Sequence, residues 1–287
     1  MSSEIQTDFT GKKMSEKDFD RLSRFIHTRY GIKMPPAKRI MLESRLQKRL
    51  RKLEFSSFHD YIEYVLSQEG KEHELIQMID LVTTNKTDFF REPAHFDFLV
   101  ETALPELINL YQAGIRSVFK VWSAGCSTGE EPYTLAIVLS EFAETRPHFH
   151  FSILATDISS RVLEYGKEGI YEAEKVEPIP KNLKKKYLLR GKDKNKNLVR
   201  IKPELRKPIR FYCLNLMDSR YTMLETMDIV FFRNVIIYFD RSTQEMLINR
   251  VCRYLKPGGF IFMGHSETLF SMNVPLDQAA PTIYRRN

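Results

Sequence analysis

Residues 121 to 133, VWSAGCSTGEEPY, run from strand-like apolar residues through a loop of small residues into a helix that opens on Glu130 and Glu131. Open α/β sheets bind their ligands at such junctions, beyond the carboxyl ends of the strands. Gly125 ends the first run, and its missing side chain lets the backbone come close to a bound group. Three later runs end on polar residues: Leu154-Ala-Thr-Asp157, Cys213-Leu-Asn215-Leu216 and Phe232-Arg233-Asn234. A carboxylate at the second strand end, here Asp157, suits ribose hydroxyls. Gly, Asp, Asn and Asn at successive strand ends read together as a nucleoside cradle.

The loop narrows the choice of nucleotide. A phosphate-binding loop of the Gly-Lys-Ser/Thr type is absent, and Gly125-x-x-x-Gly129 does not match the G-x-G-x-x-G dinucleotide pattern. Phosphates favour a helix N-terminus free of negative charge. Two acids at this one disfavour a phosphate and suit a cationic, hydroxyl-bearing ligand. S-adenosylmethionine carries a sulfonium, an ammonium and a ribose and has no phosphate, so it is the expected cofactor in preference to NAD.

Several elements must position these residues. Ser15-x-x-Asp18 opens a helix with Phe19, Leu22, Phe25, Ile26 and Tyr30 at helical spacing, and Gly31 ends it. A second helix starts at Pro35-Pro36. Its apolar stripe is Leu42, Leu46, Leu50 and Leu53, with Lys38, Arg45, Arg49 and Lys52 on a neighbouring stripe. Ser57-x-x-Asp60 caps a third helix, and Glu72 to Val82 reads as a fourth. The expected organisation is a disordered tail at 1–14, a helical domain at 15–90 and an α/β domain at 91–287. Strands are expected at 118–124, 149–155, 209–214, 227–233 and 259–263, with helices at 130–143, 159–167 and 241–255. This alternation predicts a parallel sheet. Lys256-Pro-Gly-Gly259 reads as a helix-to-strand turn, and the Lys-rich stretch at about 170–208 as a small β insertion.

The composition is that of a globular protein, with 43% hydrophobic and 28% charged residues. No apolar run is long enough for a membrane span, and the polar start lacks a signal-peptide core. Cys126, Cys213 and Cys252 read as free buried thiols without metal spacing, and the expected location is the cytoplasm. The net charge of +7 is uneven: residues 38–52 hold seven Lys/Arg and one Glu, and 166–210 hold fifteen Lys/Arg and six Asp/Glu. Such patches suit an anionic partner, either nucleic acid or an acidic protein face.

Four motifs in order carry a resemblance: Thr84-Asn85-Lys-Thr87-Asp-Phe-Phe-Arg91-Glu, Ser123-Ala-Gly-Cys-Ser-Thr-Gly-Glu-Glu-Pro-Tyr133, Arg233-Asn234-Val-Ile-Ile-Tyr238-Phe-Asp and Gly264-His265-Ser-Glu. From about residue 15 to the end the chain resembles the CheR chemotaxis-receptor methyltransferases. The resemblance implies methyl-ester formation on glutamates of bacterial chemoreceptors, with S-adenosylmethionine consumed and S-adenosylhomocysteine released. It implies an N-terminal all-helical domain, a Rossmann-like catalytic domain and a small antiparallel β subdomain that can dock a receptor's C-terminal peptide. Some peptide-docking members carry a Gly-x-Gly turn in that subdomain; here Lys192-Asp193 follow Gly191 and the second glycine is missing.

By the same resemblance Asn85, Thr87 and Arg91 close over the cofactor from the segment joining the domains. Glu131 takes its amino end, Asp157 its ribose, and Asn215 and Leu216 flank the adenine. Gly125 also borders the cofactor, Arg233 and Asn234 line the fourth strand end, and Tyr238 faces the reacting methyl. Arg91 and Tyr238 are the catalytic candidates. The cationic stripe Arg45, Arg49 and Lys52 would lie along the receptor's Glu-rich cytoplasmic helices. A monomer is expected, with no metal, no nucleic acid and no membrane insertion. Phe89 and Phe90 read as packing between the domains, and His265 as a satisfied histidine at a strand end.

A glutamate carboxylate has a reference pKa of about 4.3 and is ionised at neutral pH, so attack on the methyl needs no general base. Three other readings compete. A nucleic-acid methyltransferase would fit the charge, but Asn234-Val-Ile-Ile-Tyr238 lacks the prolines of the Asn/Asp-Pro-Pro-Tyr/Phe stretch common in base-amino methylation. A non-enzymatic cofactor sensor or receptor scaffold would share the cradle without turnover, and a dehydrogenase would bind NAD.

Overall fold

In a computed structural model, which describes residues 13–191, 197–222 and 225–287, the chain divides into two units between Thr84 and Asn85. Residues 1–12 of the expected 1–14 tail and the insertion's tip at 192–196 lie outside the described residues. Met14, placed in the tail by the sequence, is 2% exposed, and its N–H donates to Glu43.

The first unit is helical. Ser15 caps Glu16–Tyr30 by accepting the Asp18 N–H, and Gly31 ends that helix with φ of 71°. Pro36–Lys38 forms a short 3-10 turn ahead of Arg39–Lys52, which buries Leu42, Leu46 and Leu50. Leu53, expected in the same stripe, is instead the C-cap and only half-buried. Ser57 caps Phe58–Leu66 as expected. Ser67 caps a further short helix, Gln68–His73, so the expected fourth helix starts later, as Leu75–Val82.

The second unit holds ten strands among its described residues: β1 (Phe119–Ala124), β2 (Phe151–Asp157), β3 (Ile170–Glu172), β4 (Leu188–Arg190), β5 (Leu198–Ile201), β6 (Ile209–Cys213), β7 (Met227–Phe232), β8 (Leu255–Met263), β9 (Leu276–Ala280) and β10 (Ile283–Arg286). Seven form one sheet in the order β6-β2-β1-β7-β8-β10-β9. The first five in that order are parallel, and β10 runs antiparallel to both its neighbours. Strand order reverses between β1 and β7, which is where open α/β sheets seat ligands. β7 is buried at every position, the mark of a strand covered on both faces. β3, β5 and β4 make the separate antiparallel insertion expected at about 170–208.

Three features depart from expectation. A helix spans Ala94–Tyr111, interrupted by a π turn at Leu99–Ala103. Pro105, just after that turn, lacks an N–H for a regular ladder, which disguises the helical period in the sequence. Pro257-Gly-Gly259 is a register break inside β8, because Leu255 already pairs with Met227 and pairing resumes from Ile229 with Phe260. Cys213, expected buried, is exposed because β6 is an edge strand, whereas Cys126 and Cys252 are buried.

Residues 85–90, placed in the helical domain by the sequence, belong to the second unit. Ser127 Oγ donates to the Asn85 carbonyl, Lys175 Nζ to that of Thr87, and the Phe90 N–H donates to Thr134 Oγ1. Phe89 packs edge-on to Tyr171 and Phe90 against Phe96, so both aromatics serve the core of this unit.

Candidate active site

The loop after β1 is shaped by its backbone. Gly125 has φ of 79°, and a Cβ there would lie 2.4 Å from Val235 Cγ2. The Gly125 and Cys126 N–H groups both donate to the Thr156 carbonyl at 2.7 and 2.9 Å, which staples the loop to the end of β2. Asp157 binds it again: Oδ2 accepts the Ser127 N–H at 2.9 Å and Oδ1 the Ser159 N–H at 3.0 Å. Two backbone donors thus fix the carboxylate at the loop, at the end of β2.

Glu131 is the better placed of the two acids that open helix Glu130–Thr145. Oε1 accepts from Ser123 Oγ at 2.7 Å and Oε2 from Arg233 Nε at 2.7 Å. Glu130 turns elsewhere: it is 1% exposed, accepts from Thr128 Oγ1 and lies 3.8 Å from Lys175 Nζ. Burial pushes its pKa up. Of the two acids, Glu131 is the one held at the strand ends, by Ser123 and Arg233.

Arg233 follows β7 with its side chain 2% exposed. Besides Glu131, its Nη1 donates to the Arg91 carbonyl at 2.7 Å, to Glu92 Oε2 at 3.3 Å and to His95 Nδ1 at 3.0 Å. The guanidinium also lies over the rings of Phe96 and Phe231. Arg233, expected to touch cofactor, is engaged through Nε and Nη1 by protein groups and holds Glu131 in place. Burial, then the Arg233 charge, pull the His95 pKa down to about 4. His95 is thus neutral, accepting at Nδ1 and donating from Nε2 to Thr282 Oγ1 at 2.9 Å.

Glu92, His95 and His265 form the one metal-like grouping among the described residues. Arg233 already occupies His95 Nδ1 and Glu92, and its cation opposes a metal ion at that point.

Asn234 has φ of 59°, and its amide side chain covers Gly264, where a Cβ would meet Nδ2 at 2.3 Å. Glu267, a residue given no role by the sequence, clamps this corner: it is 3% exposed and accepts N–H groups from Asn234, Ile236 and Gly264 at 2.6–2.9 Å. Tyr238 ends the 3-10 turn Ile236–Tyr238 and is half-buried. Asn215 Oδ1 accepts the Met217 N–H, and the Leu216 carbonyl is held by Tyr221 Oη and Arg250. Arg91 is loosely held, with Nη1 3.3 Å from the Lys86 carbonyl and its side chain 32% exposed.

The structure therefore gathers Gly125, Glu131, Asp157, Arg233 and Asn234 at the ends of β1, β2 and β7. Lys175 and Tyr171, absent from the expected set, fasten the insertion to this region. Lys175 binds the Thr87 carbonyl and Asp88, and Tyr171 Oη donates to the Thr128 carbonyl.

In the helical unit the expected receptor-facing stripe is only partly available. Arg49 makes a two-pronged bond to Glu74, at 2.8 and 2.5 Å, and Glu74 is 2% exposed. Arg45 donates to the Val82 and Thr83 carbonyls and so closes the end of helix Leu75–Val82. Lys52 is exposed. Two of the three cations are engaged by their own unit, because each lies beside a buried acceptor that the sequence pattern does not reveal.

The strand order, with its reversal between β1 and β7, defines a Rossmann-like domain, and its family match makes it an S-adenosylmethionine-dependent methyltransferase. Family models agree: "CheR methyltransferase, SAM binding domain" matches residues 85–284 and "CheR methyltransferase, all-alpha domain" matches 17–83. The chain is 39% identical to a chemotaxis protein methyltransferase of Borreliella burgdorferi, covering 96% of this chain and 95% of that protein. It is 36% identical to that of Escherichia coli K12, covering 94% and 91%. The chain belongs to the CheR methyltransferase family.

Proposed function

We propose that this protein transfers a methyl group from S-adenosylmethionine to glutamate carboxylates on the cytoplasmic helices of chemoreceptors, forming methyl esters for sensory adaptation. The observation that carries the reading is the Glu131–Arg233–Ser123 constellation beside Asp157, a fixed anionic site at the switch point of the sheet. Asp157 and Glu131 would hold the cofactor's ribose and ammonium, and Gly125 gives it room. Bound there, the cofactor supplies an electrophilic methyl on a sulfonium.

The chain's own residues orient and desolvate. Arg91, exposed enough to swing, pairs with the incoming carboxylate or with the cofactor's own, since a guanidinium suits both. Tyr238 packs at the reacting end of the strands and donates its hydroxyl. The substrate oxygen is already ionised, so no proton has to be removed. His95 supports this division of labour, being neutral and bonded on both ring nitrogens. Orientation alone can supply on the order of 7–11 kcal/mol in favourable cases.

Lys52 and the exposed cations around it on helix Arg39–Lys52 give the receptor's acidic helices a complementary face. The protein acts as a monomer in the cytoplasm. No helix among the described residues is long and apolar enough to cross a membrane.

The test is incubation with methyl-labelled S-adenosylmethionine and membranes containing chemoreceptors from the same organism. Label on a receptor-sized band that alkali releases as methanol supports the proposal. Alkali-stable label, or label on RNA, overturns it.

A further inference from the structure

Resting on the receptor-methylating role proposed above, we infer that Phe270 is a substrate-docking knob on the rim of the active site, with Ile237 as its smaller companion. Phe270 is 82% exposed, the most exposed large apolar side chain among the described residues. It sits in the loop that follows β8, whose C-terminal end neighbours that of β7. Isolated exposed apolar residues are common and by themselves mean little. The construction of this turn is what sets Phe270 apart.

Its neighbours anchor it on both sides. Glu267 is buried and accepts the Asn234 and Ile236 N–H groups, so the Phe270 loop and the loop after β7 share one clamp. Leu269 is 6% exposed and fixed in the core. Arg241 donates to the Thr268 carbonyl and to Ser271 Oγ, and the Phe270 N–H donates to Thr268 Oγ1. The Met272 N–H returns to the Leu269 carbonyl. Ser271 takes a left-handed φ of 59°, a conformation a serine adopts at some cost. A pinned and strained turn thus holds an aromatic ring in water. In the loop after β7, Ile237 is 48% exposed, immediately before Tyr238.

The occupant follows from position and chemistry. Any substrate that brings a carboxylate to these strand ends lays its neighbouring residues on the rim. On a helix, the residues three and four positions from the accepting glutamate share its face. Their aliphatic stems are what an exposed phenyl ring meets, and Arg241, exposed beside it, suits flanking acids. The knob therefore reads the helix turn next to the modified glutamate. Aromatic side chains are enriched among residues that dominate binding energy.

The experiment compares wild type with Phe270→Ala and Phe270→Leu, using a soluble receptor cytoplasmic fragment. Phe270→Ala should raise the KM for the fragment about tenfold, equivalent to about 1.4 kcal/mol, with kcat and S-adenosylhomocysteine affinity unchanged. Phe270→Leu should recover part of the loss. Co-sedimentation of the same fragment should weaken in parallel, a readout that scores Phe270 without turnover. If wild type binds the fragment but forms no ester, the methylation reading fails while the knob is still measured. An unchanged KM and co-sedimentation in Phe270→Ala would overturn the inference. So would loss of cofactor affinity, or a wild-type dimer that Phe270→Ala dissolves.

Discussion

Replacing Arg233 by Met tests the keystone of the site. Met keeps much of the apolar stem over Phe96 and Phe231 but removes the cation from Glu131, Glu92 and His95. Breaking one side of a buried ion pair costs about 3–5 kcal/mol, because the remaining charge is left uncompensated. Glu131 and Glu92 are 11% and 8% exposed, so water compensates little. For a unit of this size each kcal/mol moves the melting temperature by about 2–4 °C, so the variant should melt on the order of 10 °C lower. Glu131 loses one of its two anchors, and S-adenosylhomocysteine affinity should fall about tenfold or more. Adding Glu131→Gln should return part of the stability, since the orphaned charge is then gone, while binding stays weak. The assays are thermal unfolding and calorimetric titration of the three variants. Arg233→Met melting and binding like wild type would refute the keystone role.

Two further predictions concern single side chains. His95 is a base whose folded pKa, about 4, lies below its unfolded value of about 6.5. Its neutral, buried form therefore supports stability fully above about pH 6.5. That support is lost as pH falls toward 4, by about 3 kcal/mol at most. His95→Gln should flatten that part of the stability profile in urea titrations; an unchanged slope would contradict the assignment. In the helical unit, Arg49→Glu should lower its unfolding temperature by breaking the pair with buried Glu74, whereas Lys52→Glu should leave folding intact and raise receptor KM. Equal behaviour of the two variants in a melt would remove the distinction.

Much of this site was legible because strand ends advertise themselves. Gly125, Asp157 and Asn234 each close an apolar run, and each lies at the end of the strand expected for it. The caps at Ser15 and Ser57 followed from side-chain chemistry three residues ahead. What was hidden depends on contacts distant in sequence. Nothing local to Arg233 shows that Glu131, 102 residues away, is its partner. Arg49 reads as a surface cation until Glu74 is found buried beside it. Glu267 closes the fourth motif, but its role was hidden because its partners are backbone N–H groups. The β9–β10 hairpin went unread because β9 is an edge strand with mostly exposed residues and little alternation.

The central claim is that this site orients an already ionised carboxylate and removes no proton. Single-turnover methyl transfer to the receptor fragment, followed from about pH 6 to pH 8.5 with saturating cofactor, tests it most directly. The account predicts a flat rate across that range, falling only where the substrate glutamate itself protonates, near its reference pKa of about 4.3. A rate that climbs through a pKa between about 6 and 8 would reveal a general base and contradict it.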